Sequence, residues 1–356
     1  MKLLGIGVLF SRGRGIGALR EALQQGWLPP SEAQEKGRSR PAYLVPPEAL
    51  QDKTVLKGMR RADRLSKMAV IAASDALADS GLTTIDRRRT GVIVATGYGA
   101  HVTTFEFLDG ILDFGEAAVS PTAFSNSVHN AAASYISSAL GIQGPTLTVT
   151  RFLFSFPAAL QLAGAWLREG SVDHVLVGGV DQHGEVMAYI ANEKLKVSPD
   201  GKIRPFASPV SAVPGEGAAF FLVSGSGEGK PYCDVEDVRF GGRGEALSPA
   251  DLTIFDADGM LPDEPPAGLK VPGAAAAYAP LWGSMMIGSA FSCAAGALML
   301  RDRTLFASPV PETATGLNVL TESRDYPVEL IQCIRYNCES LNAVVLLRKN
   351  RVGNPA

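Results

Sequence analysis

Apolar and polar positions alternate along this chain in short blocks, and the period within each block predicts its element. KLLGIGVLF at 2–10 reads as a strand, and GIGALREALQQG after it reads as a short helix. Residues 31–58 are polar and carry Pro41, Pro46 and Pro47, which predicts an ordered surface excursion. The spacing of Leu65, Met68, Ala69, Ala72, Ala76 and Leu77 puts one apolar face on a helix that Asp63 caps and Gly81 ends. Continuous apolar runs at 91–97 and 174–180 predict strands covered on both faces. Residues 127–141, SVHNAAASYISSALG, predict a helix of small residues able to pack closely against a neighbour. RPFASPVSAVPGEGAAFFLVS at 204–224 predicts a loop, a glycine turn and a strand. Later come strand candidates at 251–255 and 342–348, with the helix-prone GSAFSCAAGALMLRDR between them. Strands and helices alternate throughout, so the class is α/β.

One block combines several signals. In TLTVTRFLFSFPAAL, the β-branched run Thr146 to Thr150 predicts a strand, and Pro157 suits the first turn of a helix that stops at Gly170. A strand, a sharp turn and a helix N-terminus form a common seat for a nucleophile, because the helix dipole favours a developing anion. Here Arg151, Phe152, Leu153, Phe154, Ser155 and Phe156 fill the turn.

The chain has 356 residues, more than the roughly 250–300 that one core usually supports, so two fused halves are expected. The composition changes at 225–231, GSGEGKP, which places the halves at 1–225 and at 226–356, the second shorter. A net charge of −3 gives no electrostatic case for nucleic acid. Arg60-Arg61 and Arg87-Arg88-Arg89 read as solvated helix ends or as docking points for an acidic partner. No run is long enough to span a bilayer, and the N-terminus lacks the pattern of a signal peptide. Cys233, Cys293, Cys333 and Cys338 show no CxxC spacing, which predicts thiols in a reducing, cytoplasmic setting rather than a disulfide framework or a metal site. Glycines 13, 15 and 17 do not make the dinucleotide fingerprint, and no cofactor is implied.

Taken in order, several segments resemble the β-ketoacyl-acyl-carrier-protein synthases of the thiolase fold. GIGVLFSRGRG is similar to that family's opening strand and turn, and RRADRLSKMAVIAASDALADSGL with RTGVIVATGYG to its first long helix and following strand. LGIQGPTLTVT resembles the run into the nucleophile, VLVGGVD the strand beyond it, and RPF with PGEGAAFFLV the end of the first half. The likeness is strong over residues 1–224 and weak afterwards. It implies a five-layered αβαβα fold of two pseudo-repeated halves, and a dimer. It also implies a cysteine that takes an acyl group from a carrier protein, with two histidines assisting decarboxylative condensation.

The sequence departs from that pattern at each catalytic position. The resemblance places Leu153 at the cysteine, Asp258 of Asp256-Ala257-Asp258-Gly259 at the first histidine, and Ser289 or Ala290 at the second. The four histidines, 101, 129, 174 and 183, all precede the region where the catalytic pair belongs. YNCESLNAVVLL stands in place of the family's glycine-rich strand entry.

Three functions follow. The first is a partner subunit of chain-length-factor type, which pairs with a catalytic ketosynthase and shapes the tunnel for the growing chain in fatty-acid, polyketide or polyene biosynthesis. There Ala123, Phe124 and Val128 would face the partner or its acyl chain, or else pack as ordinary interface. The second is an acyl-thioester enzyme with a relocated nucleophile, Ser155 or Cys293, and with Asp258 as a base. The third is a homodimer that holds an acyl group or acyl carrier protein without turnover.

Overall fold

The computed structural model describes residues 1–350, except 36, 208, 227–228, 243–246, 262–263, 267–268, 313–315 and 340. Ten strands make the main sheet: β1 (Lys2–Phe10), β2 (Thr90–Ala95), β3 (Thr146–Val149), β4 (His174–Asp181), β5 (Gly217–Ser224), β6 (Cys233–Gly242), β7 (Leu252–Phe255), β8 (Ala274–Ala277), β9 (Leu330–Tyr336) and β10 (Leu341–Arg348). The two-residue strand Gly13–Arg14 pairs back onto β1. The first five strands lie in the spatial order β1-β5-β4-β2-β3 and the second five in the order β6-β10-β9-β7-β8. The orders match position for position, and so do the directions. In each half the first two pairings are antiparallel and the last two parallel. β1 and β6 join the halves through the antiparallel pairs Lys2–Asp234 and Leu3–Cys233.

Eight helices are described: α1 (Gly15–Gln25), α2 (Arg64–Asp79), α3 (His101–Phe114), α4 (Pro121–Ser127), α5 (Ala131–Leu140), α6 (Ser155–Arg168), α7 (Glu185–Lys194) and α8 (Gly288–Asp302). α6 and α8 lie in the central layer, where one apolar cluster joins Phe156 and Leu160 to Ala290, Leu298 and the inner faces of both half-sheets. α2 and α5 cover the outer face of the first half. Over the second half the outer layer is irregular chain, with Phe206, Leu247, Leu269 and Val319 packed on Phe255, Ile334 and Val344. The result is the five-layered, thiolase-type arrangement.

Several local rules hold as written. Asp63 accepts a hydrogen bond from the Ser66 N–H at 2.9 Å and caps α2. Gly7 of β1 lets that helix sit on the strand, since a Cβ there would lie 1.9 Å from the Ala72 carbonyl oxygen. The expected helix at 127–141 is instead two. Ser120 accepts from the Ala123 N–H and Pro121 occupies the first turn, so α4 starts early and ends at Ser127. Val128 to Asn130 then connect it to α5. The excursion at 31–58 contains a hairpin, Ser31–Glu35 with Arg38–Ala42. No helix among the described residues is long and apolar enough to cross a membrane.

Candidate functional site

β3 ends at Val149, a short 3-10 turn spans Phe152–Phe154, and α6 begins at Ser155. The elbow of the sequence reading is therefore present. Ser155 closes it: its fully buried Oγ accepts from the Arg151 N–H at 2.8 Å and lies 2.7 Å from the Phe152 carbonyl and 3.0 Å from that of Thr96. Phe152 is held at φ 46°, a left-handed conformation that a bulky residue rarely adopts, and its side chain is 70% exposed. The next two residues turn inward. Leu153 and Phe154 pack against Ala343, Met260, Leu261, Met286 and Phe240, so apolar side chains fill the space at the head of α6. Arg151 covers that plug, with its guanidinium carbon 4.5 Å from the Phe240 ring centre.

The second half brings its own elements to the same place. Asp256 follows β7, Asp258 follows two residues later, Arg335 sits near the end of β9, and Ser289 and Ser292 are in the first turns of α8. Arg335 Nη1 lies 3.0 Å from Asp258 and 3.3 Å from Asp256, and all three side chains are at most 1% exposed. Asp256 also accepts from Ser292 Oγ at 2.6 Å. The two oxygens of Asp258 hold the backbone N–H groups of Met260 and Met285, each at 3.1 Å. Glu264 accepts from the Tyr336 N–H at 3.3 Å, and burial pushes its carboxyl up to about 8 despite the nearby Arg335. Burial likewise raises Asp256 to about 6. The turn that carries the two aspartates is tight: Ala257 has φ 39°, and a Cβ on Gly259 would lie 2.4 Å from the Ser211 carbonyl carbon.

Between the halves lies a small pocket walled by Tyr98, His183, Met260, Met285 and Met286 with Asp181 at the end of β4. Asp181 is fully buried and accepts from Thr96 Oγ1 (2.9 Å), the Gly97 N–H (2.8 Å) and the Ile287 N–H (3.1 Å). Burial outweighs these bonds and raises its carboxyl to about 6. Gly97 is required here, since a Cβ would fall 2.2 Å from Met286 Cβ.

The remaining candidates are placed as follows. Ser289 is 3% exposed beside the Arg335 network, and Ala290 is fully buried in the central core. Cys293 lies one turn into α8, where burial and the Cys333 thiol push its own thiol well above the ordinary range. Ala123 is half-buried, while Phe124 and Val128 are 58% and 41% exposed, with the Phe124 ring 5.7 Å from Phe107. They adjoin Leu108, Leu112 and Phe114 of α3, all exposed, and β3 closes the sheet on this side with Leu147 exposed. The histidines cluster on the first half. His101 opens α3, and burial lowers its pKa and favours the neutral ring. His129 packs over Gly99 in the α4–α5 connection, and His174 begins β4. Among the described residues no group of three or more His, Cys, Asp or Glu is arranged to hold a metal ion.

Arg335, Glu264 and Asp181 were not singled out from sequence. The first two carried a usable signal: a charged residue inside the apolar run LIQCIRY, and an acidic pair between Pro262 and Pro265.

Comparison with known proteins places this architecture. The family described as Beta-ketoacyl synthase, N-terminal domain, matches residues 7–226, more than half of the chain. Among curated proteins, 3-oxoacyl-[acyl-carrier-protein] synthase I, chloroplastic, of Arabidopsis thaliana is 26% identical over 130 residues, 35% of this chain and 28% of that protein. The chain spans less than half the length of the curated relatives it matches first. Among solved structures, the ishigamide ketosynthase/chain length factor superposes with a TM-score of 0.82 at 19% identity, over 98% of this chain and 99% of that one. A type II polyketide ketosynthase in complex with its acyl-carrier protein, AntDE:AntF, superposes with a TM-score of 0.80 at 14% identity, over 98% and 99%.

Proposed function

The chain belongs to the β-ketoacyl synthase family, and from that premise we propose that it is a non-condensing partner subunit of chain-length-factor type. The observation that carries this reading is Leu153, buried with Phe154 against Met260 and Met286 at the head of α6. Leucine has no lone pair with which to attack a thioester. Asp258, which the resemblance aligns with a histidine, is committed to Arg335 and to two backbone N–H groups, and Ser289 offers no imidazole. Nor do the relocated nucleophiles serve better. Ser155 Oγ is spent on the elbow, and the Cys293 thiol is buried and protonated. The exposed apolar face of α3, α4 and the β3 edge is the surface we assign to a ketosynthase partner, with Ala123, Phe124 and Val128 upon it.

The catalytic ketosynthase would supply the cysteine and histidines, and acyl carrier protein would deliver substrate to the pair in a cytoplasmic fatty-acid or polyketide pathway. We place the division between halves at 225/226, between β5 and β6. The test is intact-protein mass after incubation with an acyl-carrier thioester. No acyl adduct is expected on this chain, and Leu153→Cys, which restores a thiol without the histidines, is expected to yield no condensation product. Turnover by the unmodified chain alone would overturn the reading.

A further inference from the structure

Phe152 does not join the apolar plug that fills the elbow. Its two successors turn inward to fill the elbow, whereas its ring stands 70% exposed at φ 46°. The conformation is enforced rather than incidental: Ser155, with no exposed surface, ties the Arg151 N–H and the Phe152 carbonyl together and anchors both near the Thr96 carbonyl. Strained residues persist where surrounding structure over-determines them, and they gather at functional sites. Exposing a large aromatic ring to water is also unfavourable in an isolated chain. Two unfavourable features at one residue, fixed by a buried hydroxyl, are explained if the ring meets something outside the chain.

The location says what. Phe152 lies three residues past β3, the strand at the end of the sheet, whose Leu147 is exposed. A sheet edge with apolar side chains is a template for a further strand. We propose that Phe152 is a specificity-determining residue: its ring projects from the elbow across the β3 edge into the acyl cavity of the bound ketosynthase, where it stops the growing chain. This rests on the subunit reading above and deepens it, because it assigns the stop to the elbow itself. Phe124, by contrast, has an intrachain ring partner in Phe107 and lies on an ordinary helix.

The experiment uses the co-purified complex of this chain with an active, cysteine-bearing ketosynthase, and compares Phe152→Ala, Phe152→Gly and Phe152→Trp by native mass and by product length. Removing the ring with Ala or Gly is expected to lengthen the main product by at least one two-carbon unit, while the 1:1 mass stays unchanged. Trp is expected to shorten it. An intact complex giving one product distribution for all four proteins overturns the assignment of Phe152 and leaves the subunit reading standing. Variants that fall out of the complex would make Phe152 an interface anchor and also overturn it. Failure of the unsubstituted chain to pair at all sinks the subunit reading, and this inference with it.

Discussion

Replacing Arg335 with methionine removes the cationic partner of two buried carboxylates, and the effect can be sized from the geometry. At 3.0 and 3.3 Å, each ion pair is worth about 5 kcal/mol of Coulomb attraction at an effective dielectric of about 20. Desolvation of the ions offsets most of it, so the intact network adds little net stability. Taking away the cation alone is different, because Asp256 and Asp258 stay buried without their counter-charge. The expected loss for Arg335→Met is about 3–5 kcal/mol. The triple variant Arg335→Met, Asp256→Asn, Asp258→Asn is expected to recover part of that, since an amide oxygen at 256 can still accept from Ser292 and one at 258 from one of the Met260 and Met285 N–H groups, with the other left unpaired. The assay is urea denaturation followed by two probes, with comparison at unchanged m-value. The deficit of the single variant should shrink as pH falls and Asp256 takes up a proton. A loss below about 1 kcal/mol, or a triple variant no better than the single, would refute the claim that this network is a charge-balanced unit.

Three further outcomes are expected. Glu264 has its folded-state pKa raised from 4.5 to about 8, so the folded state binds the extra proton and stability should fall as pH rises from 4.5 to 8. Above about pH 7, where Asp256 and Asp181, both raised to about 6, are mostly ionised, that slope belongs largely to Glu264, and Glu264→Gln should flatten it in denaturation curves taken between about pH 7 and 8. Leu153→Ala should destabilise by about 2–4 kcal/mol as the plug opens, and a change under about 1 kcal/mol would mean the space is not packed as described. Phe152→Gly should stabilise the isolated chain by about 1–2 kcal/mol by relieving the left-handed backbone, whereas Ser155→Ala should cost about 1–3 kcal/mol by leaving the Arg151 N–H unpaired. Thermal melts of the two variants, shifting in opposite directions, check both.

How much of this was legible in the sequence varied with the local physics. The first half announces itself through long apolar runs and the Asp63 cap, and β1, α2, β2 and β4 fall where period and capping put them. The second half does not. β6 reads CDVEDVRFGG with charges on its open face, β8 is four alanines, and β9 carries the buried Gln332 and Arg335 inside its apolar run. Their strand character comes from neighbours in the sheet rather than from side-chain pattern. The same holds for the site. The elbow was visible because turn chemistry is local, and the loss of the family's cysteine and histidines was visible because absence can be read by position. The Arg335 network was not visible, because Asp256 and Arg335 lie 79 residues apart and meet only when β7 and β9 pair.

In the subunit reading proposed above, this chain works only as half of an unlike pair. Native mass spectrometry of the chain co-expressed with a family ketosynthase, alongside a version of that partner whose cysteine is alanine, tests it most directly. The account predicts a 1:1 heterodimer in both cases, since pairing depends on the β3 edge and the α3–α4 face and not on catalysis. A homodimer of this chain that ignores either partner would contradict it.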